Sequence, residues 1–205
     1  MESFVNGYYR FSVWAMRLAY LNVCWILFSV LGLFILGFMP STAAMFSIVR
    51  KWVNGEEDIP ILQTYWKVYK TEFVKTNKAG LLLFGIGYLL VLEFNILRGQ
   101  DSFLYLFVSY TVLASLFLYV VVFIYFFPIF VHFKLKLLDY FKWPFIISFS
   151  HPVLSLFIIS VLWIVYYITW ISIPALFFFF GGSATALFIM WAVSRSFPKY
   201  EYREA

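Results

Sequence analysis

Residues 152–193 read PVLSLFIISVLWIVYYITWISIPALFFFFGGSATALFIMWAV, without one Asp, Glu, Lys, Arg or His. A helix rises about 1.5 Å per residue, so about 20 apolar residues cross a hydrocarbon layer about 30 Å thick. This run is long enough to cross twice. Pro174 divides it, and proline suits the first turn of a helix, where its missing N–H costs nothing. The stretch therefore predicts two spans, 152–173 and 174–193, joined as a tight hairpin. Helices are the expected form, because hydrocarbon supplies no partner for a backbone N–H or C=O.

Working outward, three more runs are long enough to span. Residues 18–39 carry no charge, 79–97 carry one acid, Glu93, and 103–130 form the longest run. The last implies tilt or extension beyond the membrane. The composition agrees: 64% of the 205 residues are hydrophobic and 12% charged, against roughly 45–50% and 25% in soluble domains. The expected fold is all-α, a polytopic transmembrane bundle of about five spans, with residues 1–205 as a single membrane domain. No linker or internal repeat divides it. The first run exceeds a signal-peptide core and is preceded by 17 residues, so it reads as a retained span.

Basic residues gather in loops that face the cytoplasm. With the N-terminus outside, the inner segments hold Arg50, Lys51, Lys67, Lys70, Lys75 and Lys78, then Lys134, Lys136 and Lys142, then Arg195, Lys199 and Arg203. Arg10, Arg17 and Arg98 are left outside. This predicts a multi-pass protein of a bacterial plasma membrane, N-terminus outside and C-terminus inside. The net charge of +5 then points to anionic lipid rather than to nucleic acid.

Residues 40–78 are the one sizeable stretch expected outside lipid. Pro40 can break the first span, and Ser41 or Thr42 can cap a new helix. That helix should run to about Asn54, with Gly55 as its left-handed stop. Glu56, Glu57 and Asp58 form a polar turn, and Pro60 opens a second, amphipathic helix. Leu62, Tyr65, Trp66, Tyr69 and Phe73 fall on one face at helical spacing. That face can pack on the protein's own spans, lie against lipid head groups, or dock a partner.

The chain resembles the YesL family of bacterial membrane proteins. The likeness rests on Gly37, Pro40 and Thr42-Ala43, the stretch 49–53 with Trp52, Gly55-Glu56, Pro60, and the aromatic-basic stretch 65–73. Members are frequently encoded beside sugar-uptake ABC transporters and polysaccharide-degrading enzymes. The resemblance therefore implies an accessory membrane subunit of carbohydrate uptake, with sugar ABC permease subunits as partners. It implies no reaction. The competing expectation is a small transporter or channel, acting alone or as a homo-oligomer, which needs polar groups from face to face.

Glu93 is the sole acid within a span, and intramembrane acids are costly. Asn22, Asn95, Ser109, Thr111 and Thr169 are expected at similar depth. They could line an outward-facing polar pocket, Glu93 could bond Asn22, or Glu93 could reach the head groups beside Arg98. Gly182 and Ala186 form a small-xxx-small pair, suited to close helix packing or to self-association. Cys24 reads as a buried apolar residue, and His132 and His151 as interfacial polar groups without metal-motif spacing. No phosphate loop or nucleophile elbow is present. The expectation is a non-enzyme without catalytic residues, metal or cofactor.

Overall fold

The computed structural model describes residues 2–98 and 103–197. Among them are seven helices and no strand: α1 (Glu2–Leu31), α2 (Phe38–Val53), α3 (Ile61–Arg98), α4 (Phe103–His132), α5 (Asp139–Ser150), α6 (Pro152–Ser172) and α7 (Ala175–Ser194). Five of them, α1, α3, α4, α6 and α7, are long and apolar enough to cross a membrane. The protein is thus an all-α polytopic bundle, as its composition requires. Pro174 caps α7, and α6 and α7 pair through Tyr166 Oη and Thr185 Oγ1 at 2.9 Å.

The first apolar run is not one helix. It stops at Leu31, turns through residues 32–37, and returns as α2. Two glycines make the turn. A Cβ on Gly37 would meet the carbonyls of Ser29 and Phe28, and one on Gly32 would meet the Gly37 backbone. Leu33 and Phe34 between them take left-handed φ values of 56° and 59°, a conformation that costs an L-residue about 1–2 kcal/mol. Within the turn, the N–H groups of residues 32–36 all find carbonyl partners on the chain itself. Asn77 Nδ2 bonds the Leu36 carbonyl at 2.9 Å. The side chains of Leu33, Phe34, Ile35 and Leu36 point outward. An apolar turn with its amides internally bonded suits hydrocarbon, which tolerates irregular backbone only when it is satisfied.

Residues 40–53 are therefore not a surface helix, as the sequence suggests, but the interior of the bundle. The N-cap position of α2 is Gly37, without a side-chain capping bond, rather than Ser41 or Thr42. The helix is 16 residues long, about 24 Å, too short to cross alone. It packs on α1, α3, α4 and α7. Trp14 meets Trp52 edge to face at 5.4 Å, and Trp25 Nε1 donates to Thr42 Oγ1 at 3.0 Å. Contacts pairing 14 with 52 and 25 with 42 make α1 and α2 antiparallel. Gly55 ends the return at φ 92°, as expected of a left-handed stop.

This hairpin alters the expected topology. Arg17 binds Glu57 at 3.3 Å and Asp58 at 2.8 Å, and Arg10 binds Glu57 at 3.6 Å. Arg50, near the end of α2, donates to the Val131 carbonyl at the end of α4. The His132 ring lies tilted against Phe197 beyond α7, centroids 4.5 Å apart. Arg10, Arg17, the 54–60 turn and the last described residues thus share one end of the molecule. Within the described residues, α2 carries the chain back once more than a count of long apolar runs suggests.

Helix α3 joins the expected amphipathic helix and second span into one helix of 38 residues, opened by Pro60, whose carbonyl accepts from the Thr64 N–H. Tyr65 reaches Ser41, Tyr69 reaches Phe28, Asn77 reaches Leu36, and Gly80 abuts Met39. Residues about 22 Å apart along α3 all touch the same hairpin end, so α3 crosses it rather than running alongside. It then pairs antiparallel with α4, Tyr119 Oη donating to the Leu83 carbonyl at 3.1 Å.

Candidate functional site: a basic cavity at the loop end

Three segments far apart in sequence enclose a cavity of about 340 Å³ at the loop end. Helix α2 contributes Ser47 and Arg50. Helix α3 contributes Lys67, Thr71 and Lys75, spaced by four residues and so on one face, with Val68 and Glu72. The end of α4 and the segment leading into α5 contribute Phe130, His132, Phe133, Lys134 and Tyr140.

Each inner group is held in place. Arg50 is half-buried and anchored on the Val131 carbonyl, where the C-terminal end of α4 favours a cation. Burial draws its pKa below the ordinary value, and the charge of Glu56 pulls it back in part. Tyr140 is buried; its hydroxyl donates to the Phe133 carbonyl at 2.9 Å and accepts from the Leu135 N–H at 3.0 Å. The same hydroxyl accepts from Lys75 Nζ at 2.9 Å. Lys75 also lies 4.6 Å from the Tyr140 ring and 5.3 Å from that of Phe130, the geometry of a cation over an aromatic face. Four cations therefore line the cavity against one carboxylate, Glu72. Among the described residues Glu72 joins no ion pair. The neighbouring acids Glu56, Glu57 and Asp58 are engaged by Lys51, Arg10 and Arg17.

The expected contact face divides. Tyr65 and Tyr69 are buried, Tyr65 Oη lying 2.7 Å from the Ser41 carbonyl and Tyr69 Oη 3.2 Å from that of Phe28. Phe73 is half-buried against Tyr69. Leu62 and Trp66 remain exposed. Most of that face thus packs on the protein's own hairpin. The motif residues serve the same junction: Gly37 makes the turn, Pro40 sits in the first turn of α2, Thr42 and Trp52 hold α1, and Glu56 pairs with Lys51 at 3.4 Å.

The outward-facing polar pocket is not assembled. Asn22 is buried and turned to α7, where Nδ2 donates to the Phe178 carbonyl at 2.6 Å. Its Oδ1 accepts from the N–H groups of Gly182 and Ser183, each at 3.0 Å. Asn95, Ser109 and Thr111 bond carbonyls of their own helices. Glu93 is exposed and, among the described residues, pairs with neither Asn22 nor Arg98. Gly182 lies against Asn22 and Trp25, and Ala186 is buried, so the small-residue pair faces the protein's own interior.

Residues 18–94, the stretch from α1 through most of α3, match the family described as "Protein of unknown function, DUF624". Three uncharacterized proteins of Bacillus subtilis (strain 168) are similar. YteU is 36% identical over 69% of this chain and 64% of its own length. YesV is 32% identical over 90% of this chain and 88% of its own. YesL is 33% identical over the whole chain and 96% of its own length. No solved structure matches significantly. With a likeness that runs the full length of the chain, this protein belongs to the DUF624 family, the YesL type.

Proposed function

We propose that the protein is an accessory membrane subunit that binds the permease of a carbohydrate ABC importer in a bacterial plasma membrane. The observation that carries the reading is the bare flank of α6. Trp163, Tyr167 and Trp170 stand at i, i+4 and i+7, exposed by 68%, 57% and 70%. The first two stack with centroids 5.5 Å apart and rings nearly parallel. A pre-ordered aromatic stripe is the kind of surface that dominates protein interfaces, because rigid rings lose little entropy on contact. The sugar link comes from the family resemblance. The basic end lies toward the cytoplasm in this proposal, by the preference of Lys and Arg for that side.

An independent transporter has less support. Several polar groups within the described spans are closed locally, Asn22 on α7, Tyr125 on Ser155 at 3.0 Å and Tyr166 on Thr185, and the buried hydroxyls left without a partner, Ser29 and Ser183, are single groups on α1 and α7. No row of free polar groups links them.

The test is affinity purification of the tagged protein in mild detergent from its own bacterium grown on a complex polysaccharide, with an unrelated five-span protein as control. Sugar-permease subunits should co-purify, and should be lost when Trp163, Tyr167 and Trp170 become Leu. Leucine keeps the span apolar. Recovery of this chain alone, as a stable homo-oligomer, would sink the proposal and favour transport by the chain itself.

A further inference from the structure

We infer that the basic cavity is a binding site for a phosphate-bearing anion. Arg50, Lys67, Lys75 and Lys134 converge on one space that holds a single carboxylate. Arg50 and Lys75 are half-buried, and an excess of positive charge around partly buried groups is costly to keep; the cost falls when an anion enters. The chain offsets this excess only in part: Glu56 acts on Arg50 but pairs with Lys51, and Glu57 and Asp58 pair with Arg10 and Arg17.

The arrangement favours a phosphoryl group over a carboxylate. Arg50 is fixed through one Nη by the Val131 carbonyl, which leaves the rest of its fork to donate. Lys75 is oriented by Tyr140. Donors thus approach from α2, α3 and the segment after α4, so they can address several oxygens at once. A phosphate monoester offers three free oxygens and up to two charges, a diester two free oxygens, two ester oxygens and one charge, and an Arg fork with lysines is a set that matches either. The pre-positioning lowers the ordering cost on binding. The volume of about 340 Å³ leaves room for the group that carries the phosphate.

Two sources share this chemistry. Phe130, two residues before the end of the apolar helix α4, lines the cavity, so a lipid head group is one source. A soluble phosphate ester could enter from the aqueous side. The experiment uses the full chain, delipidated in a neutral detergent. Inorganic phosphate, dioctanoyl phosphatidylglycerol and dioctanoyl phosphatidylcholine are titrated separately by calorimetry, with thermal unfolding in parallel. Saturable binding of phosphate alone assigns a soluble ligand. Binding of the phosphatidylglycerol but neither of the others assigns an anionic head group. Binding of both anions assigns recognition of the phosphoryl group itself. In each case Lys67→Gln/Lys134→Gln, at two exposed positions, should weaken binding by about tenfold or more. Lys51→Gln, which removes a cation outside the cavity, should not. The inference is overturned if neither anion binds, or if the double variant binds as the wild type does.

Discussion

Replacing Asn22 by Leu tests how α1 is held to α7. Asn22 is 1% exposed and makes three hydrogen bonds to α7. Two of its partners, the Phe178 carbonyl and the Gly182 N–H, are the i−4 and i groups that an unperturbed helix joins directly. The amide therefore lies across one step of the α7 ladder. A hydrogen bond between membrane helices contributes about 0.6 kcal/mol on average, and the two α7 groups keep each other as partners when the amide is removed. Leucine should cost about 1–2 kcal/mol. At about 2–4 °C per kcal/mol for a chain of this size, Tm in detergent should fall by about 2–8 °C. Asn22→Asp should cost more, at least about 3 kcal/mol, because a carboxylate cannot donate to the Phe178 carbonyl and leaves a buried charge unpaired. Thermal unfolding monitored by circular dichroism gives both values. If Asp is tolerated as well as Leu, the site is wet and the reasoning from a sealed bond fails.

Three further outcomes are expected from the same geometry. With Cys24 replaced by Ser, cysteines at Ser12 and Asn54 should both resist an impermeant maleimide in intact cells and both react after permeabilisation; labelling of the first alone in intact cells would show that α1 starts on the other side. Tyr65→Phe, which removes the hydroxyl on Ser41, should lower stability by about 1–2 kcal/mol, and an unchanged Tm would mean that the bond is exchanged for water. Gly37→Ala should abolish assembly, since its Cβ meets the Ser29 carbonyl, whereas Gly55→Ala has open space and only its φ of 92° to bear, a cost of about 1–2 kcal/mol; equal effects on yield and Tm would remove the case for a sterically closed turn.

The long spans were legible because lipid imposes length and polarity directly on sequence. Pro60, Pro174 and Gly55 also act where their backbone chemistry places them. The hairpin of α1 and α2 was not legible. Residues 18–39 have the right length for one crossing, and the break depends on two glycines touching each other across a turn. The expected helix after Pro40 exists with nearly the expected end, yet its burial depends on α3, α4 and α7 closing around it. Arg50, Lys51 and Trp52 made it look like a surface segment, although Arg50 is satisfied by a carbonyl from 81 residues away. Placing Asn22 by depth alone missed the direction of its side chain. The cavity had no local signature, because Arg50, Lys75 and Tyr140 belong to three separate elements. Its only sequence trace is the spacing of Lys67, Thr71 and Lys75.

Helix α3 contains no proline and runs unbroken from the cavity to the far side of the bundle. It rests on Met39 at Gly80, almost at its midpoint, with about 28 Å of helix on one side and about 27 Å on the other. The inner half, which carries Lys67, Thr71 and Lys75, is also tied to the hairpin at Tyr65, Tyr69 and Asn77, while the outer half, ending at Arg98, leans on α4 through the bond from Tyr119 to Leu83. The helix is therefore a beam clamped over its inner half. A load at the charged end would reach the far side of the bundle along one continuous rod, without anything having passed through.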